Sequence, residues 1–345
     1  MSAQESQPVM RAMAGGSHGF LVRAYFRAKP YLPHGFRWVL RRLRAPILRR
    51  RSAGLWPIDY AAGEKPVDWK GWPEGKKFAL LLTHDVESEW GISKARSLAE
   101  LELSHGLRAS FNFIPEGSYP DPVELREWLE QNGFEVGVHD LNHDGHLYES
   151  RASFSKKAKS INGYLNKWKA VGFRSGFMLR QLDWLHDLNV LYDASTFDTD
   201  PFEPQPQGSH TIFPFHVTPP ADVAGPGYVE LSYTLPQDST LFLLLKEKTP
   251  VIWKQKLDWI ARQGGLALVN IHPDYIDFSG NEEPSASCYP AALLKEFLDY
   301  IRLQHGETFW NPVPRDLALW FRDQAGAGSL PPDSMSPQPP PPTVS

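Results

Sequence analysis

The chain has 345 residues, 41% of them hydrophobic, with twelve tryptophans and a net charge of −4. That is enough apolar material for one large α/β domain or two small ones. Its one cysteine, Cys288, excludes an internal disulfide framework and a cysteine-rich zinc site, so any metal must be held by His, Asp and Glu. The charge is uneven: residues 23–51 hold ten basic side chains and no acidic one, leaving 26 basic against 40 acidic residues elsewhere, a remainder of −14. A body that acidic repels nucleic acid over most of its surface, and no nucleic-acid partner is expected.

Residues 1–20 are small, polar and glycine-containing, and are expected to be disordered. No signal-peptide h-region and no bilayer-length apolar run stands out, so a cytoplasmic location is expected. A basic N-terminal extension, 21–75, follows. Within it Phe36, Val39, Leu40, Leu43 and Ile47 recur at helical spacing, with Arg37, Arg41 and Arg44 on other faces. This pattern suits a helix peripheral to an anionic membrane, one docked on a partner, or one packed on the protein's own body. Pro30, Pro33 and Pro46 are expected to keep it short.

From 76 to 325 strand-like and helix-like segments alternate. Strands are expected at 78–83, 108–115, 134–139, 172–177, 190–194, 228–235 and 266–271. Helices are expected at 93–103, 122–132, 152–169, 180–188, 250–262, 290–304 and 314–322, with a Pro/Gly-rich connection at 202–227. Such β–α alternation points to parallel strands under covering helices, and about seven strands fit a closed or nearly closed (β/α) barrel. Residues 326–345 form a Pro/Ser-rich tail without a core.

In parallel β/α folds reactive groups gather at the C-terminal ends of strands. The first strand ends in Thr83-His84-Asp85-Val86-Glu87 and the third in His139-Asp140-Leu141-Asn142-His143. The fourth ends in Arg174-Ser175-Gly176 and the last in Asn270-Ile271-His272-Pro273-Asp274. Strand alternation sends Asp85 and Glu87 to one side and Val86 to the other. Glu87, His139 and His143 can form a two-histidine, one-carboxylate metal site with open positions. Asp85 is then free to act as general base and His272 as general acid, with Arg174 pairing with Asp85. These roles describe hydrolysis of an amide or ester. Asp140, Asp144 and His146 are supporting candidates; His84 reads first as a packed strand-end histidine, and Asp193 equally as a contact to the site from the fifth strand or a structural cap. Trp184, Trp253 and Trp259, at helical spacing beside leucines, are expected in the core.

Asp85 with Glu87, the His-x3-His pair at 139 and 143, Arg174 and the late His272 together resemble the ordered motifs of the polysaccharide deacetylases, the NodB-homology group or carbohydrate esterase family four. The resemblance spans about 76 to 323. It implies a distorted seven-stranded (β/α) barrel and a divalent metal, Zn²⁺ first and Co²⁺, Ni²⁺ or Mn²⁺ as alternatives. It implies removal of N- or O-acetyl groups from a saccharide of a glycan or glycan precursor, including a lipid-linked one. Carried over, it assigns Asp85 as base, Glu87, His139 and His143 as metal ligands, Arg174 as the residue orienting the base, and His272 as acid. Three features depart from the family pattern. Val86 separates the two motif-one carboxylates, Asp140 replaces a Ser or Thr, and Gly176 stands near an expected proline. Alternative functions are a catalytically silent barrel that binds saccharide or scaffolds partners, and a hydrolase of another C–N bond such as a formamide or cyclic amide.

Overall fold

A computed structural model describes residues 34–223, 225–281, 283 and 285–324, and the expected disordered ends lie outside the described residues. The strands are β1 (Phe78–Val86), β2 (Ala109–Phe113), β3 (Glu135–His139), β4 (Gly172–Arg174), β5 (Tyr192–Asp193), β6 (Phe215–Val217), β7 (Tyr228–Glu230), β8 (Leu266–Ile271), β9 (Ile276–Asp277), β10 (Tyr289–Pro290) and β11 (Phe309–Trp310). The α-helices are α1 (His34–Arg51), α2 (Glu89–Ser104), α3 (Val123–Gln131), α4 (Arg151–Trp168), α5 (Val251–Gln263), α6 (Ala291–His305) and α7 (Pro314–Gln324). No described helix is long and apolar enough to cross a membrane.

Strand β1 is the hub. Phe78 and Ala79 pair with β11, Leu82 to Val86 pair with β2, and Ala79 to His84 pair with β8 on the other side, all parallel. From β2 the sheet runs through β3, β4, β5 and β7, with β6 added antiparallel at its end. The ring closes just past β7, where Thr234 and Leu235 donate their N–H groups to the Leu268 carbonyl at 2.9 Å each. Thr234 Oγ1 reinforces the seam by donating to Leu266 O at 2.7 Å and accepting from Leu268 N at 3.0 Å. Strands β1, β2, β3, β4, β5, β7 and β8 thus form a curled, mostly parallel (β/α) barrel.

Alternation along β1 explains its near-continuous apolar sequence. Ala79 and Leu81 join an inner cluster with Leu266, Leu268, Val229 and Leu231, while Phe78, Leu80, Leu82 and Val86 face the covering helices. A strand buried on both faces reads this way. The same parity places Thr83, Asp85 and then Glu87 on the inner side, rising toward the C-terminal mouth. His84 points outward instead, where its Nε2 meets Glu102 of α2 at 2.9 Å in a wholly buried pair.

Several elements differ from their expected form. Helix α1 runs through Pro46 for 18 residues. The proline removes one backbone donor, but Arg42 and Arg49 pin the helix to the body on either side of it. The helix expected at 180–188 is a 3₁₀ segment, Leu182–Asp187, because Gln181 before it is extended and the Arg180 backbone is engaged by Gln205. The expected strand 228–235 keeps a regular ladder only over Tyr228–Glu230, since its remainder bends to close the ring. The connection 202–227 contains β6, and Ile212 and Phe213 within it are buried. Trp253 and Trp259 are buried and Trp184 packs against Tyr148 and Phe154, as their helical spacing implied.

Candidate metal centre

Inward parity on neighbouring strands, together with the loops that follow them, brings six sequence-predicted residues to one end of the barrel. Asp85 and Glu87 come from β1 and the loop after it, His139 from the end of β3, His143 from the following loop, Arg174 from β4 and His272 from the end of β8. One ligand atom each from Glu87, His139 and His143 lies within 4.8 Å of the other two. Glu87 Oε1 is 3.2 Å from His143 Nε2, 3.9 Å from His139 Nε2 and 3.9 Å from His272 Nε2.

The backbone is shaped to make this cluster. His143 and Asp140 both adopt left-handed conformations, with φ of 54° and 58°, which costs an L-residue roughly 1–2 kcal/mol each. Asp140 compensates with its own side chain: Oδ1 accepts from Leu141 N at 2.6 Å and Oδ2 from Gly176 N at 3.1 Å. It therefore ties the end of β3 to the end of β4 rather than facing the ligand atoms. Gly176 is required for space: a Cβ there would sit 2.5 Å from Asp140 Oδ2 and 2.7 Å from His143 Cδ2. The next residue, Phe177, stacks on the His143 ring with centroids 4.3 Å apart.

Hydrogen bonding fixes which imidazole nitrogens face the centre. His139 Nδ1 lies 3.1 Å from the Arg174 carbonyl. A carbonyl only accepts, so Nδ1 carries the hydrogen and Nε2 is the atom turned to the centre. Burial disfavours a proton there, but Asp85 and Glu87 outweigh it and raise the imidazole, and a cation would take the lone pair in the proton's place. His139 Nε2 and His143 Nε2 are buried without a hydrogen-bond partner. Two orphaned imidazole nitrogens converging on one carboxylate oxygen are a donor set that fits a divalent cation. Glu87 is braced from behind: Tyr275 donates to Oε2 at 3.0 Å, and the Glu87 backbone N–H donates to Asp274 Oδ2 at 3.0 Å. Asp274 also takes a hydrogen bond from Ser88.

Asp85 is gripped at both oxygens. Asn112 donates to Oδ1 at 3.0 Å and Asn270 to Oδ2 at 2.7 Å. Gly137 on β3 leaves the room, since a Cβ there would fall 2.1 Å from Asn112 Oδ1. Buried Arg174 stands 3.6 Å from Asp85 Oδ2, acting through charge rather than a hydrogen bond. Burial pushes the Asp85 carboxyl upward, but the charges of His139, Arg174 and His272 outweigh it and hold the group well below the usual carboxylate range. Glu87 is likewise held low against burial by His143 and His139. Both carboxylates stay anionic here because positive charge compensates them, and a bound cation brings the same sign of charge.

On the opposite flank of β1, His272 Nδ1 donates to Asp238 Oδ1 at 2.7 Å and its backbone N–H to Asp238 Oδ2 at 2.9 Å. Tyr289 completes the Asp238 contacts at 3.1 Å. Burial alone would lower the His272 imidazole, but Asp238 and the two β1 carboxylates lift it to about 10. His272 Nε2 is left facing the cluster with its proton.

Sequence reasoning missed Asp238, Asn112 and the role of Asn270. Asn112 interrupts an apolar alternation, and Asn270 precedes His272 by two, so the parity rule applied to β2 and β8 finds both. Asp238 carries no comparable signal: it stands ahead of a short π-helix, Ser239–Leu244, outside any strand. The supporting candidates lie elsewhere. Asp144 caps its own turn by accepting from His146 N at 2.8 Å, and Asp193 bonds Ser195 at 2.7 Å.

No family model matches the chain and no curated protein matches it. Solved structures do. A protein from Mycobacterium smegmatis described as a polysaccharide deacetylase superposes with a TM-score of 0.56 at 18% identity, over 80% of this chain and 99% of that one. Weaker likenesses include a peptidoglycan deacetylase from Bacillus subtilis (TM-score 0.43, 12% identity, 74% and 96% covered). Another is a polysaccharide deacetylase from Bordetella bronchiseptica described as involved in O-antigen biosynthesis (0.40, 17%, 72% and 86%). The chain has the polysaccharide-deacetylase fold.

Proposed function

We propose that the chain is a metal-dependent hydrolase that removes an acetyl group from an acetylated saccharide. One observation carries the reading. The Glu87, His139 and His143 ligand atoms converge within 4.8 Å, while an anionic carboxylate, Asp85, and a protonated imidazole, His272, border the same cluster. Glu87, His139 and His143 would hold the cation, for which two imidazoles and a carboxylate suit Zn²⁺ first, with Co²⁺, Ni²⁺ and Mn²⁺ as alternatives. When bound, it supplies Lewis-acid polarisation of the acyl oxygen and lowers the pKa of water to about 7.

The chain's own residues do the rest. Asp85 accepts the proton of the attacking water as the new C–O bond forms, held as an anion by the Asn112 and Asn270 amides and the Arg174 charge. His272 gives its Nε2 proton to the departing sugar nitrogen as the C–N bond breaks, leaving acetate and a free amine; for an O-acetyl group the proton goes to the sugar oxygen. Asp238 keeps His272 in the tautomer and orientation this needs. A barrel that only binds saccharide would have no use for an oriented base and acid beside the ligand set.

The test is release of acetate from a panel of N- and O-acetylated saccharides by protein loaded with each of the four metals, with Asp85→Asn as control. Acetate from wild type and none from the variant supports the reading. A metal-loaded wild type inactive on every acetylated member, yet active on a formamide or cyclic amide, would replace it.

A further inference from the structure

Helix α1 turns its apolar stripe to solvent, the reverse of a helix packed on a globular body. Its docked side is narrow and mostly polar, with half-buried Leu48 packed on the core. Ala45 is buried, Arg42 donates to the carbonyls of Leu243 (3.2 and 3.3 Å) and Ala286 (3.3 Å), and Arg49 pairs with Glu247 at 2.9 Å. On the far side Val39, Leu40, Leu43 and Ile47 fall within an arc of about 100° on the helical wheel. They are 51%, 42%, 67% and 53% exposed. Arg44, Arg50 and Arg51, also exposed, border the stripe and its C-terminal end, and the helix contains no acidic residue.

We propose that α1 is a docking face for an anionic lipid bilayer, with Val39, Leu40, Leu43 and Ile47 seated at the headgroup–acyl boundary and Arg44, Arg50 and Arg51 on lipid phosphates. Charge complementarity selects this occupant. A second copy of the chain docked helix to helix would bring the same arginines against these. The segment before the helix, residues 1–33, holds four basic side chains and one acidic one, so it supplies no counter-charge. A protein groove would have to combine an apolar trough with a rim of carboxylates, whereas an anionic membrane offers apolar depth and negative charge over any area. The hydrogen bonds of Arg42 to Leu243 fix α1 on the π-helix whose preceding residue, Asp238, holds His272. The membrane side of the molecule and the acid's support are therefore built on one element. The inference does not depend on the hydrolase reading, because its readout is binding alone.

Flotation of the full chain tests it, using vesicles of phosphatidylcholine with phosphatidylglycerol and vesicles of phosphatidylcholine alone. Wild type is expected to float with the anionic vesicles and to be released as salt rises, since surface charge is screened within about 8 Å at physiological ionic strength. Leu43→Glu combined with Ile47→Glu is expected to bind at least about tenfold less, with an unchanged melting temperature because both side chains are already exposed. Should that variant misfold, Arg44→Glu with Arg50→Glu and Arg51→Glu is expected to erase the preference for anionic vesicles. Wild type that fails to float, variants that bind as well as wild type, or a dimer in light scattering that L43E/I47E dissolves without any vesicle binding would each overturn the proposal.

Discussion

Gly176→Ala tests how the His143 loop is held. Gly176 does not have a positive φ, so the substitution adds a methyl group without backbone strain and isolates the question of space. That methyl would meet Asp140 Oδ2 at 2.5 Å and His143 Cδ2 at 2.7 Å, both well inside ordinary contact. The Asp140 carboxylate cannot retreat without losing the Gly176 and Leu141 N–H bonds. The His143 ring cannot retreat freely either, because Phe177 is stacked on it. Overpacking of this kind costs about 1–3 kcal/mol, and a displaced ligand or its support typically costs 10–100-fold in metal affinity. Zinc affinity by competition with a chromophoric chelator, alongside the melting temperature, should show both losses. Gly163→Ala is the control: it lies in α4 with nothing within 4 Å of the new Cβ, and should leave zinc affinity alone while adding up to about 1 kcal/mol of stability. If G176A binds zinc as tightly as wild type and melts at the same temperature, the account of how the loop is shaped is wrong.

Asp85→Asn should abolish hydrolysis while zinc content by elemental analysis stays at the wild-type level. Because the Asn112 and Asn270 amides would then meet an amide in place of two carboxylate oxygens, it should also cost about 1–3 kcal/mol in denaturant unfolding. His272, lifted to about 10 from 6.5 in the metal-free protein, contributes stability that is fully present below about pH 6.5 and lost as pH rises toward 10. Asp238→Asn should lower the imidazole's titration, followed by NMR in the metal-free state, and remove that part of the pH dependence. A His272 titration unchanged in D238N would refute the pairing. Adding zinc at about 100 times its Kd should stabilise wild type by about 2.7 kcal/mol, read as a rise in melting temperature, and should do nothing for His139→Ala with His143→Ala.

Much of this was legible in the sequence for a physical reason: a strand has a period of two, and a parallel barrel delivers every strand end to one face. That is why Asp85, Glu87, His139, Arg174 and His272 could be placed together from their positions alone, and why His84, out of phase by one, faces Glu102 instead. The rule stops at the end of the strand. His143 reaches the cluster through two left-handed residues that no periodicity encodes. Asp140 reads as a polar loop residue and proves to be the tie between β3 and β4. Asp238 joins the site from 34 residues upstream of His272, through a π-helix without a regular pattern. The closure at Thr234 and Leu268 depends on a bend that turns an expected eight-residue strand into a three-residue ladder and a seam. The α1 stripe was legible as periodicity, whereas which way it faces required the docking contacts of Arg42 and Arg49.

The central claim is that Glu87, His139 and His143 share one metal ion beside Asp85 and His272. Anomalous diffraction at the zinc edge from zinc-soaked crystals addresses it directly. The account predicts one peak bonded to Glu87 Oε1 and the Nε2 atoms of His139 and His143, with Asp85 and His272 outside the ligand set. A peak held by Asp85 in place of Glu87, or none at this cluster while zinc binds elsewhere, would contradict it.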